Sequence, residues 1–254
     1  MRANFKAGKC MKKLLIRPGA IGDVIVSLPA LEYLKAEYTE VWVQSAVIPL
    51  IQFADKVMSI AASRIEMMTD EFVERFQQFD EVVSWYNSDR EKLEKINKNV
   101  VFHQALPTAA GINATDFYAR QVGAPLGLVP KIKVHRNVAR ETIVIHPFSG
   151  SDRKNWAYAN FEELAKRLPL PVEWAQERFE NLLELAEWMA DARLYIGNDS
   201  GITHLAGAIS MPVLAIFAVS DPQIWAPVRA KILRNPEVEQ VVTAATELLA
   251  CGRR

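Results

Sequence analysis

The sequence holds only two cysteines, Cys10 and Cys251, near opposite ends of 254 residues. That excludes a disulfide framework and a zinc ligand set, and it fits a reducing cytoplasm. Excess charge of either sign is missing too, since 30 Lys plus Arg balance 30 Asp plus Glu. No global field therefore draws the chain onto nucleic acid or an anionic membrane, and any basic site is local. No stretch approaches the ~20 uninterrupted apolar residues that cross a bilayer, and the basic start at 1–13 is not followed by a signal-type apolar run. The four histidines are scattered, without HxH, HExxH or DxD spacing, so no metal set emerges. A GxSxG nucleophile elbow is absent and so is a complete GxGxxG fingerprint, which argues against a serine hydrolase and against a nicotinamide or flavin enzyme.

What is present is the balance of an ordinary globular protein, 50% hydrophobic and 24% charged, in one large domain or two small ones. Residues 1–10 lack any period and read as a flexible arm. From Lys12 the pattern alternates. The run Leu14-Leu15-Ile16 is followed by a glycine turn and then by apolar residues at helical spacing from Val24 to Leu34. Strands are expected again at 41–43, 81–85 and 100–102, with helix-like stretches around 49–58 and 70–79. The segment 123–140, GAPLGLVPKIKVHRNVAR, is rich in Gly, Pro and basic residues and reads as a connection. It divides the chain into domains of 11–138 and 139–254. Alternation resumes with strands at 142–146, 171–175, 194–196 and 212–217, and helices at 160–168, 179–190, 201–209 and 238–249. Strands alternating with helices predict parallel α/β sheets, whose ligands bind beyond the carboxyl ends of the strands.

Three loops just after strands carry the chemistry. In Arg17-Pro18-Gly19-Ala20-Ile21-Gly22-Asp23, Gly19 and Gly22 permit a tight turn and close backbone approach, and a helix start offers N–H groups to an anion or a sugar hydroxyl. Asp23 there is a helix cap by one reading and a catalytic carboxylate by the other. In residues 146–156, HPFSGSDRKNW, small hydroxyls beside a glycine precede Arg153 and Lys154. These are donors for a phosphate unless the loop is merely solvated, while His146 is expected to be satisfied by backbone and Trp156 to pack. In residues 196–204, IGNDSGITH, Asp199 or Ser200 caps a helix, Gly201 leaves its N–H open and His204 lies one turn in. This is an anion site, or a plain capping turn with His204 as a polar core residue.

Taken in order, LLIRPGAIGDVIVSLPALEYLK, HPFSGSDRKNWAYANFEELAKRL and ARLYIGNDSGITHLAGAISMPVLAIFAVSDPQIWAPV resemble the main motifs of glycosyltransferase family 9, the ADP-heptose:lipopolysaccharide heptosyltransferases. The resemblance spans most of residues 11–230. It implies a GT-B architecture, two Rossmann-like domains facing across a cleft, with the acceptor on the first and the nucleotide sugar on the second. It also implies an inverting transfer of a sugar, heptose among the candidates, from a nucleotide diphosphate donor, ADP-linked first, to a glycolipid or saccharide of the cell envelope. No cofactor or metal is implied. Asp23 matches the family's base. Ser149, Ser151 and Lys154, with Ser200, Gly201 and His204, match residues that contact the donor diphosphate. Asp199 lies in the donor-site turn, and Gly19 and Gly22 in the acceptor-side loop. A lipid-linked acceptor implies a cytoplasmic enzyme that visits the inner face of the membrane. Two departures are visible. Only Gln176-Glu177-Arg178 follows the strand at 171–175, where the family has a glycine turn and a ribose-binding Glu, and no glycine follows Phe217. They leave open a second role, that of a sugar-nucleotide-binding protein without turnover.

Overall fold

The structure is a computed structural model that describes residues 10–107, 111–175 and 179–251. Almost all of the arm at 1–10 and the whole bridge at 176–178 therefore lie outside the described residues. The elements are β1 (Lys12–Ile16), α1 (Ile21–Tyr33), β2 (Tyr38–Val43), a 3-10 turn (Ser45–Leu50), β3 (Lys56–Ser59), α2 (Ile60–Ser63), α3 (Asp70–Phe76), β4 (Glu81–Ser84), α4 (Arg90–Ile96) and β5 (Val100–Phe102). They continue through α5 (Ala114–Gln121), β6 (Ile143–His146), a 3-10 turn (Asp152–Lys154), α6 (Tyr158–Arg167), β7 (Val172–Trp174), α7 (Leu182–Ala190), β8 (Leu194–Asn198), α8 (Gly201–Ala208), β9 (Val213–Phe217), α9 (Pro222–Trp225), β10 (Lys231–Arg234) and α10 (Val238–Cys251).

The strands form two five-stranded sheets, β3-β2-β1-β4-β5 and β10-β9-β8-β6-β7, and every pairing is parallel. Leu14, Leu15 and Ile16 are fully buried, as are Ile143, Val144 and Ile145. Such unbroken apolar runs belong to central parallel strands covered on both faces. Residues 123–140 lie between the two sheets in sequence and contain no helix or strand.

The chain forms two compact units. One takes the described residues of Met1–Pro18 with Leu34–Ala105, and the other those of Gly19–Tyr33 with Leu106–Arg254, so α1 packs with the second sheet's unit. In the first unit Trp42 of β2 sits among Phe72, Phe76 and Phe79, with ring centroids 6.1–6.4 Å away. In the second, Ile143, Ile145, Leu194, Ile196, Leu214 and Ile216 meet Phe161 and Leu164 of α6 and Val241 and Ala245 of α10. Helix α1 lies against α5 and α8, and α8 also packs against α7.

One expectation for the elements is corrected. The apolar spacing at 49–58 suggests a helix, but Pro49 lies in a 3-10 turn and residues 56–59 form β3. Glu40, Val41, Trp42 and Val43 of β2 pair with Lys56, Val57, Met58 and Ser59, and these inter-strand bonds outweigh a local preference.

Candidate functional site

In the second sheet, β6 lies between β7 and β8. The chain leaves β6 toward one edge for β7 and returns on the other side through β8, which opens a crevice beyond the carboxyl ends of β6 and β8. Two of the sequence-predicted loops flank it, 147–156 after β6 and 199–200 between β8 and α8. Asn198, fully buried at the end of β8, ties them together. Its Oδ1 accepts from the Trp156 N–H at 2.9 Å and its Nδ2 donates to the Pro147 carbonyl at 2.5 Å. Trp156 is a packing residue as expected, with its ring edge-on to Phe161 at 5.0 Å and its Nε1 donating to the Pro236 carbonyl. His146 is held by backbone, its Nδ1 lying 3.2 Å from the Ala175 carbonyl. A carbonyl only accepts, so Nδ1 carries the proton.

At the third loop Ser200 is the N-cap of α8, its Oγ accepting from the Thr203 N–H at 3.3 Å. Thr203 Oγ1 lies 3.1 Å from both Ser200 Oγ and the Tyr195 hydroxyl, so the cap is locked from beneath. The start of α1 crosses this point. A Cβ on Gly201 would fall 2.7 Å from Ile21 Cβ and 3.1 Å from the Gly22 nitrogen, and a Cβ on Gly22 would fall 3.1 Å from the His204 ring. Glycine at 201 lets the two helix N-termini come this close, and a side chain at 22 would press on the His204 ring. Both ends present unpaired N–H groups and partial positive charge. Asp23, in the first turn of α1, accepts from the Ala20 N–H at 2.9 Å through Oδ2. It thus does cap its helix, as the reaching-back half of a capping box. Gly19 precedes it in a turn at φ +124°.

These groups open onto one pocket of about 620 Å³. Gly22 and Asp23 line it from α1, Lys154 from the β6 loop, and Asp199, Ser200, Gly201 and His204 from the third loop. Ser149, Ser151 and Gly19 are not among its lining residues. Gly150 is, together with Ala20, Leu106 and Trp225. Ser149 Oγ turns back into its own loop, 2.8 Å from both the Ser151 carbonyl and Asn155 Oδ1.

Asp199 is the electrostatic centre. It is 4% exposed, takes a 2.9 Å ion pair from Lys154 Nζ and a 2.5 Å bond from Ser220 Oγ on the same oxygen, and its other oxygen lies 4.0 Å from His204 Nε2. Burial pushes the His204 pKa down. Asp199 and Asp23 oppose the shift, and Lys154 adds to it. His204 is therefore neutral at pH 7, and its contact with Asp199 is not an ion pair there. Sequence reasoning missed Asn198 and Ser220 as site residues. A buried polar residue at a strand end is the signal for the first, but Ser220 has none, because it reaches Asp199 from 21 positions away. Among the described residues no group of three or more His, Cys, Asp or Glu is placed to hold a metal ion.

Similar proteins define the class. The α/β fold of two parallel sheets is that of GT-B glycosyltransferases. The glycosyltransferase family 9 protein of Veillonella parvula superposes with a TM-score of 0.75 at 16% identity, over 94% of this chain and 97% of that one. The ADP-heptose lipopolysaccharide heptosyltransferase II of E. coli gives 0.74 at 15% identity, over 96% and 100%. The dodecameric, iron-containing glycosyltransferase TibC of enterotoxigenic E. coli gives 0.59 at 16%, over 87% and 62%. No curated protein matches the chain. Residues 180–245 match the model of glycosyltransferase family 9 (heptosyltransferase), a span that contains Asp199, Ser200, Gly201 and His204. The fold is thus that of the GT-B glycosyltransferases, and over residues 180–245 the chain is similar to glycosyltransferase family 9.

Proposed function

We propose that this chain transfers a sugar, heptose first among the candidates, from an ADP-linked donor to a glycolipid or saccharide acceptor, inverting the anomeric centre without a metal ion. One observation carries the reading. Asp23, Lys154 and the Asp199-Ser200-Gly201 turn, although far apart in sequence, line a single pocket at the switch point of the second sheet. The donor diphosphate lies against the start of α8, where Ser200 and Gly201 present N–H groups, with His204 as a neutral wall. Lys154 turns from Asp199 to the phosphates, and Ser149 and Ser151 shape the loop that presents Gly150 and Lys154. Asp23 takes the proton of the acceptor hydroxyl as its oxygen attacks the anomeric carbon, and the glycosidic electron pair leaves with the diphosphate. Positive charge from Lys154 and the helix end stabilises that leaving group. Gly19 and Gly22 shape the acceptor-side loop. The enzyme works in the cytoplasm and meets a lipid-linked acceptor at the membrane surface; no helix among the described residues is long and apolar enough to cross a membrane.

Asp23→Ala decides between turnover and mere binding. The expected result is loss of transfer with ADP affinity within twofold of the parent, in an assay that is unchanged by EDTA or an iron chelator. Transfer by the variant at the parental rate removes Asp23 as the base, and inactivation by chelator removes the metal-free mechanism. A second reading, a sugar-nucleotide-binding protein without turnover, is favoured by the bond that engages Asp23 Oδ2 in capping α1. It predicts ADP binding in the parent and no product from any donor.

A further inference from the structure

Beside the phosphate-facing loop lies a row of aromatic rings that the proposed chemistry does not use. Phe148 is 53% exposed and Tyr158 47%. Their rings stack at 5.9 Å with 13° between planes. Tyr158 continues to Trp174 at 5.9 Å, and the His146 ring stands edge-on to Phe148 at 6.1 Å. His146 is anchored to the Ala175 carbonyl, and burial pushes its pKa down, so the inner end of the row is fixed and uncharged at pH 7. Two large aromatic rings kept half in water and parallel to each other gain little from the core. Such a surface is typical of a place where another flat apolar group lands.

Its position names the occupant. Phe148 is two residues from Gly150 and six from Lys154, both of which line the pocket, and at ~3.5 Å per residue Phe148 stands within ~7 Å of Gly150 along the chain. Across the sheet the order is β8, β6, β7. Ser200 and Gly201 follow β8, the Lys154 loop follows β6, and Trp174 ends β7. Two strand spacings of ~4.8 Å therefore separate the diphosphate end from the aromatic end, the direction and reach over which a nucleoside diphosphate carries its base away from its phosphates. We infer that Phe148 and Tyr158 form the stacking shelf for the base of the donor nucleotide. This rests on the donor reading of the pocket. Stacking recognises a flat ring rather than a pattern of donors and acceptors, so the shelf holds any nucleobase and holds a purine more firmly than a pyrimidine.

Calorimetric titration with ADP, UDP and inorganic pyrophosphate tests it, on the parent and on Phe148→Ala and Tyr158→Ala. Both side chains are about half exposed, and circular dichroism checks folding. In Phe148→Ala the ADP Kd is expected to rise about tenfold, as loss of one base–aromatic stack predicts. UDP is weakened less, pyrophosphate affinity is unchanged, and Phe148→Tyr restores ADP binding. Unchanged ADP affinity in both alanine variants, with the parent binding ADP and pyrophosphate, overturns the shelf and leaves the donor pocket standing. A parent that binds neither ligand overturns both.

Discussion

Each unit of the molecule buries one carboxylate beside a basic side chain, and the two are built for opposite purposes. In the first, Glu40 is 3% exposed. It accepts from Trp42 Nε1 at 2.7 Å and pairs with Arg75 on one oxygen, while the other lies 3.4 Å from the Tyr38 hydroxyl. Arg75 also covers the Trp42 ring at 5.7 Å. The network's contacts stay within its own unit, although Tyr38, Glu40 and Arg75 also border a pocket there with Lys12 and Lys56. In the second, Asp199 is equally buried, but its cation, Lys154, is 38% exposed and lines an open pocket. Lysine is a single mobile charge on a flexible stem, whereas arginine fits a carboxylate with a rigid fork. The same pairing of buried acid and base thus serves as a rivet when the cation is an arginine folded onto tryptophan. Under the proposed function it serves as a holster when the cation is a lysine at the mouth of a cleft.

The largest expected effect breaks the holster. Lys154→Ala should lower kcat/KM roughly a hundred- to a thousandfold, the scale seen when one preorganised donor to a developing negative charge is removed. It should also weaken ADP binding, while the midpoint of urea unfolding moves little because the lost pair is partly solvated. Unaltered kinetics would remove Lys154 from the site. The converse variant, Arg75→Ala, should leave ADP affinity alone and cost on the order of 2–3 kcal/mol of stability, a drop of about 4–12 °C in Tm. That is less than a fully buried pair would lose, since the Arg75 side chain is 28% exposed. If Arg75→Ala melts with the parent, Glu40 finds compensation elsewhere and the rivet is not one.

Much of this contrast could not be read from the chain, for physical reasons that differ by residue. The central strands β1, β4, β6, β8 and β9 announce themselves because burial on both faces gives each an apolar run, such as Leu14-Leu15-Ile16 in β1 and Ile143-Val144-Ile145 in β6. β3 and β10 escaped notice because they are short segments, KVMS and KILR, in which no residue is fully buried; the other two edge strands, β5 and β7, were legible. Helix α4, REKLEKI, buries only Leu93 and shows no stripe. All three pocket-lining loops were legible from glycines, hydroxyls and charges placed after strands. Which side chain of a loop faces the pocket was not: Gly150 lines it between Ser149 and Ser151, because the chain turns at each residue and the Ser149 hydroxyl closes back on Asn155. Asn198, Ser220 and the Glu40–Arg75 pair are set by segments that meet only after folding. Sequence spacing carries no trace of such meetings.

The smallest expected effect concerns pH. His204 is buried with its pKa pushed below the ordinary 6.5, burial outweighing the nearby Asp199 and Asp23. An unfolded chain takes up a proton there as pH falls through about 6.5, whereas the folded site resists it, so the unfolded state binds more protons and stability drops on acidification. The contribution is complete above pH 6.5 and is lost toward the lower, folded-state value, with a slope of at most about 1.4 kcal/mol per pH unit. His103 and His146 are also lowered by burial and act in the same direction. The informative quantity is therefore the slope of unfolding free energy between pH 7.5 and 5.5 in the parent against His204→Gln. The variant should show a shallower slope, whatever its absolute stability, and parallel slopes would mean that His204 titrates alike in both states.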